Sequence, residues 1–457
     1  MTTHGQLNFD SIFRAYDIRG VYGETLTEDV AAVIGAAFSA FIGKNRTVVV
    51  GRDVRLSGEP LKNALISGLI FNCNVTDVGV VPTPVLYFAV NHLKSDAGIM
   101  ITASHNPPKW NGFKLFKRGV CLSSGEMAQI REMAKATSLK NLGGKNGKVV
   151  RYAGVLQDYM DFVLKKVKVK KRLRVVADTA NSVCGLLASP LFKQLNCEVK
   201  VLNEKPNGNF PAHLPEPKEE TLAELKKEVV NSKADFGVGY DGDGDRAVFV
   251  DDKGRIIPGD LTLMIFAKDA LEKSKGGKII YDLSCSMAVE EFIRKHGGNP
   301  IVERIGHTFI MDRMIREKAL VGGETSSHFY FSECGGMDDA VFASLKMAEI
   351  LSKSDNSLSE IVDSLPKYPA FHERNFECPD HLKFAVIEKL KAKFKSYGFK
   401  FLDIDGIKLL NEDGWILLRP SNTEPLIRVS AEAKTKKQLD ELYKFAKKEL
   451  KQIMKGC

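Results

Sequence analysis

Three aspartates fall within five consecutive positions in Asp241-Gly242-Asp243-Gly244-Asp245-Arg246, directly behind the apolar run Ala234-Asp235-Phe236-Gly237-Val238-Gly239-Tyr240. Like charges this close repel unless a cation lies among them. The intervening glycines let the backbone curl so that one loop presents all three carboxylates. Mg²⁺ takes oxygen ligands in octahedral geometry and keeps positions for water or a phosphate oxygen, so the run predicts a hard-metal loop at the end of a buried strand. It is not an EF-hand calcium loop. Arg246 stands where the sharp turn needs glycine, Asp252 stands where Glu should close the coordination, and strand-like runs rather than helices flank it.

The same pattern, a buried strand entering a polar loop, recurs along the chain. Ala97-Gly98-Ile99-Met100-Ile101-Thr102 enters Ala103-Ser104-His105-Asn106-Pro107, Leu173-Arg174-Val175-Val176-Ala177 enters Asp178-Thr179-Ala180-Asn181, and Ala319-Leu320-Val321 enters the loop at Glu324. Further strands are expected at 46–51, 278–282 and 300–304, and helical patterns at 60–71 and 125–136. Three α/β units of about a hundred residues, each ending a strand in a motif, make a crevice architecture. From about Tyr368 the pattern changes to an extended segment, a helix near 381–397, a hairpin at 406–419 and a terminal helix, which reads as a smaller α+β domain. The expected fold is α/β: three similar domains with mixed sheets around a central crevice plus the α+β domain. The boundaries are placed at 1–153, 154–254, 255–367 and 368–457.

A loop serine beside a hard-metal site points to phosphoryl transfer. A serine hydroxyl is a weak nucleophile, so the chemistry needs a metal, cations around the phosphate and a proton acceptor. Arg246, Lys114, Arg14 and Arg19 supply phosphate contacts. By itself Ser104 is an ordinary turn serine in an exposed loop, and only the aspartate run raises it above that. The late run Arg419-Pro420-Ser421-Asn422-Thr423-Glu424-Pro425, followed by Arg428, offers hydroxyls, an amide and two cations to a phosphate that does not react.

Composition agrees. With 44% hydrophobic and 27% charged residues over 457 positions, the chain is an ordinary multidomain globular protein. No apolar run reaches bilayer-spanning length and the N-terminus lacks signal-peptide character, so the expected compartment is cytoplasmic and no membrane partner is expected. Eight cysteines without CxxC pairs read as reduced thiols. A net charge of +9 suits dianionic phosphate substrates. The basic run 165–172 lacks aromatic interleaving and reads as a solvated surface segment rather than a nucleic-acid site.

Taken in order, the loop at Ser104, the aspartate run, Gly323-Glu324-Thr325-Ser326-Ser327-His328 and the run at Arg419 resemble the four signatures of the α-D-phosphohexomutase superfamily. The opening Phe13-Arg14-Ala15-Tyr16-Asp17-Ile18-Arg19-Gly20 is similar to its phosphomannomutase/phosphoglucomutase branch. The resemblance implies a phosphorylated Ser104 that helps Asp241, Asp243 and Asp245 hold Mg²⁺. It also implies phosphate transfer between O1 and O6 of mannose and glucose phosphates through a hexose 1,6-bisphosphate that serves as intermediate and activator. By the same resemblance Arg14 and Tyr16 contact substrate, Glu324 and Ser326 grip O3 and O4, and Arg419, Ser421, Asn422, Thr423 and Arg428 hold the idle phosphate. His328, His307 and Lys114 surround the transferring proton, with Arg19 and Arg246 as cations. Small-molecule hexose phosphates are the expected partners, with neither nucleic acid nor an obligate protein.

Some positions depart from the branch. Thr325 and Ser327 stand where Met and Gly are commoner, glucosamine enzymes carry Gln at the Thr325 position, and Ser284 replaces a lysine of dual-specificity members. A phosphoglucosamine mutase is therefore the alternative. A haloacid-dehalogenase-type phosphatase with Asp241 as nucleophile is weaker, because Asp245 stands where that motif wants Thr or Val.

Overall fold

A single connection, repeated three times, organises the chain. In this computed structural model, which describes residues 8–14, 16–118, 120–138, 144, 146–397, 400–421 and 425–455, the strands lie in four sheets. In the first, Cys73–Val80, Arg46–Arg52 and Ala97–Ile101 run parallel, and Trp110–Lys117 then returns antiparallel to Ala97–Ile101. In the second, Glu198–Leu202, Arg174–Asp178 and Phe236–Tyr240 are parallel and Ala247–Asp251 returns. In the third, Asn299–Glu303, Lys278–Asp282 and Val321–Gly323 are parallel and Phe329–Phe331 returns. The serine loop, the aspartate loop and the Glu324 loop are the three equivalent returns. The second sheet also takes in Ile256–Ile257. The expected α/β class with mixed sheets is the observed one.

The central strands are buried along their whole length, as strands covered on both faces must be: Ala97–Ile101, Phe236–Tyr240 and Ala247–Asp251 have no exposed position. Helices Glu28–Ile42 and Gly58–Leu69 cover one face of the first sheet and approach each other backbone to backbone. A Cβ on Gly35 would stand 2.2 Å from the Leu65 carbonyl oxygen and one on Gly68 2.1 Å from that of Ala32, so only glycine fits at either point. One apolar core joins helix Thr83–His92 of the first unit to the second and third units.

The fourth sheet is wholly antiparallel, in the order Ala370–Glu377, Leu426–Ala433, Gly414–Pro420, Ile407–Asn411, Lys400–Leu402. Side chains alternate across a strand. Ile416 and Leu418 therefore enter the core beneath helices Lys383–Ser396 and Lys436–Lys455, while Trp415 and Leu417 face the other way and pack on Leu283 of the third unit. This second face docks the C-terminal domain.

The basic run 165–172 is more than a solvated segment. Its lysines are mostly exposed, but Val167 is buried, the Lys168 N–H donates to Glu349 and the Lys170 N–H to Ser352, strapping the run to helix Ala340–Lys353. No disulfide joins the described cysteines. Among the described residues no helix is long and apolar enough to cross a membrane.

Candidate active site

The three loops and the fourth unit converge on a cleft of about 930 Å³. Arg14, Tyr16, Arg19, His105 and Asn106 line it from the first unit, Arg246 from the second, His307, Glu324, Ser326 and His328 from the third, and Arg419 from the fourth. Ser104, next to the lining residue His105 but not itself part of the lining, donates from Oγ to Asp241 Oδ2 across 2.7 Å. Ser104 is 1% exposed, so the exposed loop serine expected from composition is instead buried: the aspartate loop closes over it, and a Cβ on Gly242 would stand 2.3 Å from the Ser104 carbonyl oxygen.

The three aspartates each offer an oxygen within 4.8 Å of the others, and all are buried. Asp243 Oδ1 and Asp245 Oδ1 have no hydrogen-bond partner among the described residues. Lys114 reaches into the cluster from the strand paired with Ala97–Ile101, placing Nζ 2.7 Å from Asp243 Oδ2 and 2.5 Å from Asp245 Oδ2. Burial alone would push its pKa down, but the two carboxylates overcome that and raise it. Burial and repulsion from Asp245 and Asp243 raise the Asp241 carboxyl, whereas at Asp245 burial is outweighed by Lys114, His328 and Arg246 together, which hold it low. A cluster that already draws an ammonium between its carboxylates and leaves two buried oxygens unpaired fits a divalent cation. Asp241 spends both oxygens, Oδ2 on Ser104 and Oδ1 on the Gly244 and Arg246 N–H groups, so it is not poised as the nucleophile of a phosphatase.

Arg246 crosses from the second unit to the third, where its Nε donates to His328 Nε2 at 2.9 Å. His328 Nδ1 lies 2.8 Å from Asp338 Oδ2. Burial lowers the His328 pKa, and Asp245 and Asp338 more than reverse this. The Arg246 bond nevertheless requires a lone pair on Nε2, so in this arrangement the imidazole is neutral with its proton on Nδ1 toward Asp338. His307 stacks on His328 at 5.9 Å and meets the Tyr16 ring edge-on at 6.2 Å. Burial, reinforced by Lys114 and His328, lowers its pKa to about 4. His105 is lowered to about 2, by burial and then by Arg246 and Arg19.

Glu324 is buried with a raised pKa, chiefly from desolvation, and accepts from the Tyr330 hydroxyl, while Ser326 is exposed at the cleft. Thr325 is turned away: its hydroxyl lies 2.7 Å from Ser284 Oγ and its N–H donates to Asp282. Arg19 bridges Asp17 and Asn106. In the fourth unit Arg419 and Arg428 are cross-strand partners, Arg419 lies 3.6 Å from Asp405, and Ser421 is buried. Asn422 and Thr423 lie outside the described residues. Thr83, which donates to Asp243 at 2.6 Å, and Asp338 and Tyr330 were not singled out from sequence.

Comparison with known proteins agrees with this geometry. The profile of phosphoglucomutase/phosphomannomutase alpha/beta/alpha domain I matches residues 10–141, domain II 157–254, domain III 258–368, and the C-terminal domain 373–448. The chain belongs to the phosphoglucomutase/phosphomannomutase family. It is 37% identical to the phosphomannomutase/phosphoglucomutase of Pseudomonas syringae pv. tomato, over 97% of this chain and 96% of that one. It is 35% identical to the phosphoglucomutase/phosphomannomutase of Thermococcus kodakarensis, over 97% and 99%. The solved structure of a family protein from Burkholderia thailandensis superposes with a TM-score of 0.90 at 34% identity, covering 97% of each chain. The acidic triad of this chain lies within the segment, 157–254, that the domain II profile matches.

Proposed function

We propose that this phosphohexomutase moves phosphate reversibly between O1 and O6 of mannose and glucose phosphates, with Ser104 as phosphoryl carrier. The observation that carries the reading is the 2.7 Å contact of Ser104 Oγ with an aspartate of the triad. A serine whose hydroxyl already lies against a cation-binding cluster can keep a phosphate within reach of that cation. Asp241, Asp243 and Asp245 would hold Mg²⁺, which when bound supplies charge neutralisation and polarises the phosphoryl group.

A sugar hydroxyl attacks the phosphorus of phosphorylated Ser104, the bond from phosphorus to Ser104 Oγ breaks, the hydroxyl proton passes to an imidazole of the His307–His328 pair beside the Lys114 ammonium, and the released Ser104 Oγ takes up a proton from solvent. The product is a hexose 1,6-bisphosphate. After it turns around, its other phosphate returns to Ser104 and the serine proton is taken up in reverse. Arg19 and Arg246 offset the charge of the moving group. Glu324 and Ser326 hold the ring hydroxyls. Arg419 and its cross-strand partner Arg428, with Ser421, Asn422 and Thr423, hold the idle phosphate, and Arg14 and Tyr16 contact the sugar from the first unit.

The test is direct. Incubating the enzyme with Mg²⁺ and glucose 1,6-bisphosphate should add one phosphate, mapped to Ser104 by peptide mass spectrometry, and the enzyme should then interconvert glucose 1-phosphate and glucose 6-phosphate. An acid-labile phosphate on Asp241, or phosphate release without isomerisation, would overturn the reading.

A further inference from the structure

Arg55 has no exposed surface and spends every N–H it has. Its Nε donates to Asp53 Oδ2 at 3.0 Å, one terminal nitrogen donates to the carbonyl oxygens of Pro107 and Trp110 at 2.7 and 3.0 Å, and the other to those of Ser104 and Asn106 at 2.8 and 2.6 Å. A guanidinium presents five donors in one plane, and here each has its acceptor. The serine loop is wrapped around one side chain.

Asp53 completes the hold from the other side. Its Oδ2 also accepts from Thr102 Oγ1 at 2.7 Å, and Thr102 Oγ1 in turn accepts from the Ser104 N–H at 2.9 Å. Both polar groups of the Ser104 backbone are thus tied, one through Thr102 and one directly, to the Asp53–Arg55 pair. This matters because Ser104 has a φ of +49°, a left-handed conformation that a residue with a side chain adopts only when its surroundings impose it. The second unit seals the arrangement: the Phe210 ring lies 5.2 Å from the guanidinium, and a Cβ on Gly208 would stand 2.9 Å from the Arg55 Cα.

We propose that Arg55, seated by Asp53, is the positioning residue that holds Ser104 in its left-handed conformation and thereby aims its hydroxyl at the three-carboxylate cluster. The proposal rests on Ser104 being the phosphoryl carrier. Arg55 touches no reacting atom. Its loss should therefore slow the steps in which Ser104 accepts or donates phosphate and leave the sugar contacts of the third and fourth units intact. Lysine cannot substitute, because three donors on one point cannot serve five acceptors.

The test compares dephosphorylated full-length wild type, Arg55→Lys and Thr102→Val. With Mg²⁺ and glucose 1,6-bisphosphate, Ser104 phosphorylation is followed by rapid quench and intact mass, with kcat and KM for glucose 1-phosphate measured in parallel and all rates scaled to the folded fraction by circular dichroism. Arg55→Lys should slow phosphorylation by about a hundredfold and Thr102→Val by about tenfold, both with KM within about threefold of wild type. A purely structural Arg55 would lower the melting temperature yet leave the rate per folded molecule unchanged, and such a result overturns the proposal. If Arg55→Lys does not fold, Thr102→Val decides: phosphorylation at the wild-type rate overturns the proposal, and the slower rate supports it. If wild type itself is not phosphorylated on Ser104, the reading of the carrier has failed and this proposal falls with it. Normal wild-type phosphorylation with equally fast variants sinks the clamp alone.

Discussion

Ser104 and Asp241, 137 positions apart in sequence, share a 2.7 Å hydrogen bond in which the serine donates to an oxygen of the metal-binding triad. Two domains are joined at the point where the chemistry is proposed to occur. Ser104→Ala should fold and lose at least about a thousandfold in turnover, because the relay has no other carrier. The variant should also take up no phosphate from glucose 1,6-bisphosphate. Retention of more than about a tenth of the wild-type rate would show that Ser104 is not the carrier.

Removing the divalent cation should abolish turnover and lower the melting temperature together. The triad is three buried carboxylates offset by one ammonium, and a ligand that binds only the folded state stabilises it by mass action. Mg²⁺ returned after chelation should restore both properties, whereas Ca²⁺ should restore stability better than turnover because its longer, more numerous bonds misplace the phosphate. Full activity in excess chelator would exclude the triad from the reaction.

Much of this site was legible in local sequence. The aspartate run announces itself because charge repulsion and glycine geometry are properties of six adjacent residues, and the strand before it is visible as an unbroken apolar run. Arg55, Thr83 and Asp338 were not legible. Arg55 reads as part of a polar turn before helix Gly58–Leu69, Thr83 as the first residue of helix Thr83–His92, and Asp338 as the neighbour of Asp339, which caps helix Ala340–Lys353. Their partners lie 49 to 55, 160 and 10 positions away. Sheet register brings Arg55 and Asp338 to theirs, the packing of the second unit on the first brings Thr83 to Asp243, and no local periodicity encodes either. The docking face of the fourth sheet was hidden for a different reason: Trp415 and Leu417 alternate with Ile416 and Leu418, so the strand reads as uniformly apolar and does not say which face meets another domain.

Asp338→Asn tests the orientation of His328. The carboxylate fixes the proton on Nδ1 so that Nε2 accepts from Arg246, and an amide can present either atom to the ring and no longer fixes the tautomer. A fall in kcat of roughly 10- to 100-fold with little change in KM is expected. An unchanged kcat would show that the His328 tautomer does not matter to turnover.

Sugar preference should be broad at C2. Glu324 and Ser326 are proposed to bind O3 and O4, which glucose and mannose share, and a single unmatched hydroxyl discriminates by about 1 to 3 kcal/mol. Glucose 1-phosphate and mannose 1-phosphate should therefore have kcat/KM values within about a hundredfold of each other. Thr325 offers no amide to an amino sugar and is already engaged with Ser284 and Asp282, so glucosamine 1-phosphate should be turned over poorly. A clear preference for the amino sugar, or a Glu324→Ala loss confined to one epimer, would overturn this assignment of the loop.

Lys408 gives the docked C-terminal domain a pH signature. It is buried between the fourth sheet and the third unit, donates to the Leu283 carbonyl at 2.6 Å and lies 4.0 Å from the Trp415 ring. Burial lowers its pKa from 10.5 to about 8, against the pull of Cys285, Asp282 and Glu432. Because the folded pKa lies below the unfolded one, the unfolded chain binds more protons between these values, and stability contributed through Lys408 rises with pH from about 8 to about 10.5. Below about pH 8 the cost of burying the charge is fully present. Lys408→Met should remove that rise. Near neutral pH it should be close to neutral or stabilising, since an apolar side chain of similar length replaces a buried charge. Urea unfolding of both proteins at about pH 7.5 and about pH 9.5 decides it: wild type should gain on the variant at the higher pH. An identical difference at the two values would mean that the Lys408 ammonium is not desolvated by the docking of the fourth unit on the third.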